Sequence, residues 1–366
     1  MLVDTKQKEL PFIGLECGEF ITPITIAYET YGNLNKEGSN AILICHALTG
    51  DAHAAGKFNE EDSKFGWWDK FIGPNKAIDT NKYFVISSNV VGGCAGSTGP
   101  SSLNQKTKKP YGLKFPFITI KDMVKAQELL IQSLGIKKLL SCIGGSMGGM
   151  QVLEWAITYP DKCQSFIPLA TAAYQSPQNI ALHEVGRRAI MNDPNWKGGK
   201  YYDTKPPNDG LSVARMIAHI SYLSDVTMHQ KFGRRIRKKD ELNFELHNEF
   251  EVESYLEYQG RSFINRFDAN SYLYITRAVD YFDYGDKKLR EVLSQNSSLK
   301  NSKFLLVSFS SDWLYPSYQS IEIVKALQFC NIPVTYCEID SPYGHDAFLL
   351  EDQELAPLIK GFLKNL

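Results

Sequence analysis

One short segment limits the possible folds of this chain more than any other. Residues 144–148 read Gly-Gly-Ser-Met-Gly, between an apolar run at 138–143 and a segment with helical spacing at 150–159. A serine in a Gly-x-Ser-x-Gly pattern lies on a sharp turn from a strand into a helix, and the flanking glycines allow strand and helix to approach closely. The pattern therefore predicts a strand–turn–helix unit that exposes the hydroxyl of Ser146 at a sheet edge.

Short apolar runs on both sides of this unit predict further buried strands. They lie at residues 41–45, 83–87, 139–143, 166–170, 303–309 and 334–339. Segments with helical spacing follow at 121–134, 317–329 and 353–366. Short apolar strands that alternate with helices favour an α/β fold with a mostly parallel, doubly wound sheet covered on both faces. Residues 20–31 alternate in polarity and are predicted to form an antiparallel ribbon.

Residues 176–298 differ from the rest of the chain. They are rich in Arg, Tyr, Glu and Asn, and helical spacing occurs at 211–223, 242–259 and 263–281. Their Phe, Tyr, Ile and Leu content argues against a disordered linker. We therefore expect residues 1–175 and 299–366 to form one α/β core, with 176–298 inserted as a helical lid above the carboxyl edge of the sheet.

Composition and charge exclude several classes of partner. The net charge of −1 gives no reason to expect nucleic acid or a membrane surface. We find neither a signal-peptide pattern at the beginning of the chain nor an apolar stretch of about 18 residues that could span a bilayer. The seven cysteines are scattered singly. This pattern predicts reduced thiols in a cytoplasmic enzyme, with neither a metal site nor a disulfide framework.

The elbow serine needs two partners for catalysis. A serine hydroxyl is a poor nucleophile near pH 7 unless a base accepts its proton and a third group orients that base. In sheets of this kind the chain order is serine, acid, histidine. Asp312 follows the predicted strand 303–309, and His345 follows the strand 334–339. We predict Ser146 as nucleophile, His345 as base and Asp312 as the orienting acid.

Alternatives remain open for the acid and the base. Asp312 could instead cap the next helix, because Asp is a good N-cap residue. His345 could be a surface loop histidine. Asp340 is the rival acid, but it ends the strand that leads to His345 and is too close in sequence to reach round to it.

The predicted chemistry also needs an oxyanion hole, which is formed by two backbone amides directed at the developing negative charge. We assign one to Met147, the residue after the nucleophile, and the other to Leu48 in the loop after the strand 41–45. We interpret His46 as a residue that orders this loop.

Several longer motifs resemble one protein family. They read Gly-Gly-Ser-Met-Gly-Gly-Met-Gln at 144–151, Asn-Val-Val-Gly-Gly-Cys-Ala-Gly-Ser-Thr-Gly-Pro at 89–100, Cys-His-Ala-Leu-Thr-Gly at 45–50 and Gly-His-Asp-Ala-Phe-Leu at 344–349. Residues 67–69, 72–74 and 211–215 match as well. Together they resemble the homoserine O-acetyltransferases of the α/β-hydrolase superfamily over nearly the whole chain.

This resemblance implies an α/β-hydrolase fold and an activity. Members of the family move an acetyl group from acetyl-CoA to the side-chain hydroxyl of L-homoserine, on the route to methionine. A covalent acyl-serine implies ping-pong kinetics. The family implies no cofactor, with acetyl-CoA as co-substrate, and a homodimer formed through the helical insertion. Succinyl-CoA as donor, serine as acceptor, and a serine esterase or thioesterase remain alternatives.

The resemblance also implies roles for four further residues. Arg215 would contact the carboxylate of the substrate and Asp346 its ammonium, with Tyr222 and Thr49 completing the pocket. A zwitterionic amino acid needs one fixed cation and one fixed anion, and arginine offers carboxylate a two-pronged donor.

Overall fold

Alternating strands and helices form a doubly wound sheet in the computed structural model, which describes residues 1–237, 244, 246, 249–285 and 287–366. The main sheet of these residues has eight strands. They are β1 (Lys6–Leu10), β2 (Ile24–Tyr31), β3 (Ala41–Cys45), β4 (Phe84–Ser88), β5 (Ser141–Gly145), β6 (Ser165–Leu169), β7 (Lys303–Phe309) and β8 (Val334–Ile339).

The sheet is mostly parallel, as predicted. The strand order is β1-β2-β4-β3-β5-β6-β7-β8. Strand β2 is antiparallel to both of its neighbours, whereas β3 to β8 all run parallel. Three short two-stranded ribbons pair Ile13–Gly14 with Phe20–Ile21, Ile72–Gly73 with Ile78–Asp79, and Leu103–Asn104 with Lys109–Pro110.

The predicted strands 83–87 and 166–170 each lie within one residue of the observed β4 and β6, whereas two other strand predictions differ by more. The expected strand 139–143 lies at Ser141–Gly145, because Gly144 pairs with Cys45 and Gly145 with Leu169 in the parallel ladder. Glycine has no side chain, so the apolar pattern could not show that it continues the strand. The predicted ribbon at 20–31 instead divides its pairing: Ile24–Tyr31 pairs with β1, and Phe20–Ile21 pairs with Ile13–Gly14.

Helices cover both faces of the sheet and also form most of the segment 176–298. In the described part of the chain they are α1 (Ile120–Ser133), α2 (Met147–Thr158), α3 (Pro177–Asn192), α4 (Asn208–Tyr222), α5 (Asp225–Lys231), α6 (Glu251–Phe263), α7 (Ala269–Asp280), α8 (Lys287–Ser294), α9 (Ser317–Phe329), α10 (Ala347–Leu350) and α11 (Asp352–Lys364). Short 3-10 helices lie at Gly112–Lys114, Pro160–Lys162, Lys197–Gly199, Ser297–Asn301 and Gly344–Asp346. No helix of the described residues is long and apolar enough to cross a lipid bilayer.

Each face of the sheet has its own apolar core. Along β3, Leu43 and Cys45 belong to the core under α1, α2 and α9, whereas Ile42 and Ile44 belong to the core under α11. This alternation follows from the two-residue period of a strand. Because both sets are apolar, the strand is continuously hydrophobic in sequence, which is typical of a parallel sheet buried on both faces.

The segment 176–298 contains helices α3 to α8, and none of its described residues joins the main sheet. The predicted helix 263–281 is interrupted, because the side chain of Asp268 accepts a hydrogen bond from the amide of Ser271 and caps a new helix, α7. Part of the predicted helix 242–259 lies outside the described residues; the described part begins at Glu251. The division into core and lid remains a prediction.

Candidate active site

Ser146 lies at the turn between β5 and α2 in a strained backbone conformation. Its φ is 59° and its ψ is −125°, which is rare for a residue with a side chain. The amide of Ser146 donates to the Leu169 carbonyl at 3.0 Å, and its carbonyl accepts from the Thr171 hydroxyl at 2.8 Å. These bonds to β6 and the following loop hold the turn in place.

The glycines of the elbow permit close contact between strand, helix and the β3 loop. A Cβ on Gly144 would lie 2.6 Å from the Gly148 backbone, and a Cβ on Gly148 would lie 2.1 Å from the Cys45 carbonyl oxygen. Any side chain at these two positions would push the elbow away from β3.

His345 and Asp312 form a buried hydrogen-bonded pair. The distance from His345 Nδ1 to Asp312 Oδ2 is 2.8 Å. The other carboxylate oxygen, Oδ1, accepts from the amides of Leu314 and Tyr315, both at 2.9 Å. A carboxylate only accepts, so Nδ1 carries a proton, and in the neutral imidazole the lone pair is on Nε2. The imidazole is therefore oriented to act as a base.

The alternatives for the acid can be judged from these contacts. Asp312 does stabilise the turn at 312–315, but the N-cap of α9 is Pro316. A turn role and an orienting role therefore coexist in one carboxylate. Asp340 is exposed and accepts from the Ser310 hydroxyl at 2.6 Å.

A single aromatic ring connects the histidine loop to the elbow. The Phe348 ring lies 5.5 Å from the His345 ring, centroid to centroid. A Cβ on Gly145, the residue before Ser146, would lie 2.3 Å from that same ring. Trp68 Nε1 donates to the Phe348 carbonyl at 2.9 Å and fixes this segment. The loop that carries His345 thus packs directly against the chain segment that carries Ser146.

The two amides assigned to the oxyanion hole lie at the start of α2 and in the β3 loop. Met147 is the first residue of α2, so its N–H has no acceptor within the helix and lies at the positive end of the helix dipole. The amide of Leu48 makes no hydrogen bond to another residue that the structure describes.

His46 holds the β3 loop, as its sequence position suggested. Its Nε2 accepts from the Val90 amide at 3.1 Å, and its Nδ1 donates to the Ala47 carbonyl at 2.7 Å. Complete burial lowers the pKa of His46, against smaller opposing effects of the Ala47 hydrogen bond and the charge of Asp51. The imidazole is therefore a neutral link between the loops.

Arg215, Thr49, Tyr222 and Asp346 are gathered beside His345. Arg215 Nη1 donates to the Thr49 hydroxyl at 3.0 Å, and its guanidinium lies 5.7 Å from the Tyr222 ring centroid. The Tyr222 ring lies 6.0 Å from the His345 ring. Burial raises the pKa of Asp346, while the charges of His345 and Arg215 act in the opposite direction.

The end of α4 and the start of α5 form hydrogen bonds with the loops that carry Asp312 and His345. Trp313 Nε1 donates to the Leu223 carbonyl at 3.0 Å, and the Thr227 hydroxyl donates to the Pro342 carbonyl at 2.6 Å. These contacts place the end of α4 and the start of α5 over the carboxyl ends of β7 and β8.

Sequence reasoning missed two residues at this site. Arg266 Nη1 donates to the Thr49 carbonyl at 2.9 Å, and burial together with the charge of Arg215 lowers the pKa of Arg266. No local pattern marks this arginine. Gln151, discussed below, had a signal: with Glu154 it is one of two polar residues in the mostly apolar segment 150–157. Within the described residues, no group of three or more His, Cys, Asp or Glu side chains could hold a metal ion.

Known proteins match both the fold and the whole chain. The family model of the alpha/beta hydrolase fold matches residues 40–352. A homoserine O-acetyltransferase of Methanohalobium evestigatum is 60% identical, over 99% of this chain and 74% of that protein. Among solved structures, a homoserine O-acetyltransferase from Bacillus anthracis has a TM-score of 0.90 at 33% identity and covers 99% of this chain and 98% of its own. Esterase E22 also has a TM-score of 0.90, at 32% identity over 99% of this chain and 100% of its own.

Proposed function

Since the chain belongs to the homoserine O-acetyltransferases of the α/β-hydrolase fold, we propose that it transfers an acetyl group from acetyl-CoA to the side-chain hydroxyl of L-homoserine. The feature that carries this proposal is the placement of a cation, Arg215, and an anion, Asp346, beside Tyr222 and next to His345. The product would be O-acetyl-L-homoserine, for methionine biosynthesis.

The first half-reaction acylates Ser146. His345 Nε2 accepts the hydroxyl proton while Oγ attacks the thioester carbonyl carbon. The amides of Met147 and Leu48 donate to the resulting oxyanion. When the carbon–sulfur bond breaks, His345 returns the proton to the sulfur, so CoA leaves as a thiol and acetyl-Ser146 remains.

The second half-reaction transfers the acetyl group to the acceptor. Arg215 binds the carboxylate of homoserine and Asp346 its ammonium, while Tyr222 and Thr49 complete the pocket. His345 takes the proton of the side-chain hydroxyl, whose oxygen attacks the acetyl carbon. Collapse of the tetrahedral intermediate releases the ester, and the proton returns to Ser146 Oγ. Helices α3 to α8 act as the lid that shelters the acyl-enzyme from water.

This chemistry requires no cofactor, because the triad supplies nucleophile and base and acetyl-CoA is a co-substrate. We further propose a cytoplasmic location. Its support is the set of free thiols, among them the buried pair Cys45 and Cys142, whose sulfur atoms lie 3.7 Å apart and form no disulfide.

We propose that the molecule is a homodimer formed through the insertion. Exposed apolar side chains on α3 to α6 support this: Val185, Val213, Ile220, Val226 and Tyr258. Light scattering coupled to size-exclusion chromatography should give twice the chain mass, and Ile220→Asp should shift that mass towards one chain. A wild-type protein of single-chain mass at micromolar concentration would rule the dimer out.

A serine esterase is the second candidate function, and the likeness to esterase E22 favours it. CoA release from acetyl-CoA, measured with and without L-homoserine, separates the two. After the first turnover, a transferase should release CoA only when the acceptor is present, and mass spectrometry should detect O-acetylhomoserine. Double-reciprocal plots of rate against one substrate, at several concentrations of the other, should give parallel lines. Equal CoA release without the acceptor would establish hydrolysis. Arms with succinyl-CoA and with L-serine test the other acyl donor and acceptor.

A further inference from the structure

The side chain of Gln151 links the two chain segments that carry the oxyanion amides. It lies on α2, one helical turn after Met147, and is completely buried. Its Nε2 donates to the His46 carbonyl at 3.1 Å and to the Met147 carbonyl at 3.3 Å. His46 begins the loop that carries Leu48. One amide group therefore bonds the backbone on both sides of the hole.

Gln127 binds the oxygen of the Gln151 amide, while the two backbone carbonyls fix which way that amide faces. Gln127 Nε2 donates to Gln151 Oε1 at 2.7 Å, while its own Oε1 accepts from Trp155 Nε1 at 2.8 Å. Because the side-chain oxygen of Gln151 accepts the bond from Gln127 on α1, its NH₂ group faces the two carbonyls. The reverse orientation would place an oxygen against two carbonyl oxygens, which is electrostatically unfavourable.

Backbone contact alone does not set the separation of these segments. A Cβ on Gly148 would lie 2.1 Å from the Cys45 carbonyl oxygen and 3.3 Å from that of His46. This close packing limits approach but does not prevent separation. The bond from Gln151 to the β3 loop opposes separation, because breaking it would leave the His46 carbonyl and the NH₂ group without these partners in the interior, whereas the Met147 carbonyl keeps its helical bond.

We propose that Gln151 is a positioning residue that sets the spacing between the amides of Leu48 and Met147 and so builds the oxyanion hole. The inference rests on the proposed acyl-serine chemistry and adds to it the group that aligns its two donors. Gln151 does not touch the reacting atoms. It acts through the backbone of the β3 loop and of α2.

The test compares Gln151→Met with Gln127→Met. The first variant removes both bonds to the carbonyls. The second removes buried bonds of the same kind from the same network but leaves the Gln151 donors in place, so it controls for lost stability. Acylation is followed as the p-nitrophenol burst from p-nitrophenyl acetate. Oxyanion binding is followed as the Ki of an alkyl trifluoromethyl ketone, which forms a tetrahedral adduct with the serine.

In Gln151→Met, we expect acylation to slow about 10- to 100-fold and the Ki of the ketone to rise by a similar factor, because misaligned donors stabilise the adduct less. The KM for homoserine should stay within about threefold, since the pocket residues are unchanged. Gln127→Met should show a comparable fall in thermal unfolding temperature, with acylation within about threefold of wild type. Gln151→Glu keeps one hydrogen-bond donor when the carboxyl is protonated, so its acylation rate should exceed that of Gln151→Met. This variant replaces Gln151→Met in the test if the methionine variant does not fold.

Two results would overturn the inference: an unchanged Ki in Gln151→Met, or an equal loss of acylation in Gln127→Met. The burst uses an ester and the Ki uses a ketone, so neither readout needs CoA or homoserine. A wild-type protein that acylates but does not transfer to homoserine would therefore refute the proposed function without deciding the role of Gln151.

Discussion

Gly344 and Tyr222 meet backbone to backbone above the sheet. A Cβ on Gly344 would lie 2.7 Å from the Tyr222 carbonyl oxygen and 2.5 Å from the Ser224 amide nitrogen. The φ of Gly344 is +68°, a conformation that favours glycine. This contact seats the end of α4 on the residue before His345. It therefore couples the helix that carries Arg215 to the proposed general base.

Gly344→Ala tests that coupling. The added methyl group must push α4 away from the histidine loop, and the alanine must adopt a backbone φ that is strained for a residue with a side chain. We therefore expect the unfolding free energy to fall by about 1–3 kcal/mol. The kcat should fall and the KM for homoserine should rise, since His345 and the pocket move apart. Gly361→Ala is the matched control: nothing lies within 4 Å of its Cβ position on α11. If both variants had wild-type kinetics, the coupling would be disproved.

Asp312→Asn should reduce kcat about 10³- to 10⁴-fold while the protein remains folded, because an amide no longer holds the required tautomer of His345. Asp340→Asn, the matched change at the rival acid, should leave kcat within about threefold. Steady-state kinetics and circular dichroism of both variants check this. Comparable losses in the two would contradict the assignment of the acid.

Arg215→Ala should separate the two half-reactions. Losing a charge-assisted hydrogen bond to a carboxylate costs about 1.5–3 kcal/mol, so the KM for homoserine should rise about 10- to 100-fold. The burst rate of Ser146 acylation should stay within about threefold of the wild-type rate, because this guanidinium does not bind the acyl donor. Arg188→Ala, on the exposed face of α3, is the control. An equal loss in both half-reactions would argue against Arg215 as the carboxylate site.

The pair of His53 and Glu29 predicts a pH-dependent part of the stability. Burial lowers the pKa of His53, but the hydrogen bond and charge of the buried Glu29, at 3.0 Å, together with the charges of Asp51 and Asp62, outweigh it, and the pKa lies above its usual 6.5. A raised folded-state pKa means that this contribution is complete below pH 6.5 and is lost as the pH rises through the folded-state value.

Urea unfolding of wild type and His53→Gln at several pH values measures this contribution as the difference in unfolding free energy. The difference should be largest at the acidic end and should decline as pH rises. In a Glu29→Gln background the decline should weaken, because the two largest effects that raise the pKa of His53 are lost. A difference that grows with pH would contradict the assigned sign.

The local features of this protein could be predicted from its sequence. The elbow at Ser146 is encoded by neighbouring glycines, and the buried strands by apolar runs. The mostly parallel sheet is confirmed. The order of Ser146, Asp312 and His345 along the chain was also visible, because each residue follows a strand that ends at the same edge. Their catalytic roles stay predictions.

The convergence of the pocket was decided only by the tertiary structure. Arg215 and Thr49 are 166 residues apart in sequence yet share a hydrogen bond, and Arg266 reaches the same threonine from 217 residues away. Hydrophobic periodicity records which face of an element is buried, and a motif records a local turn. Neither records which side chains from distant segments meet. That depends on how helices such as α4 pack on the loops of the sheet, as the contact of Gly344 with Tyr222 shows, and such packing is a property of the whole folded chain.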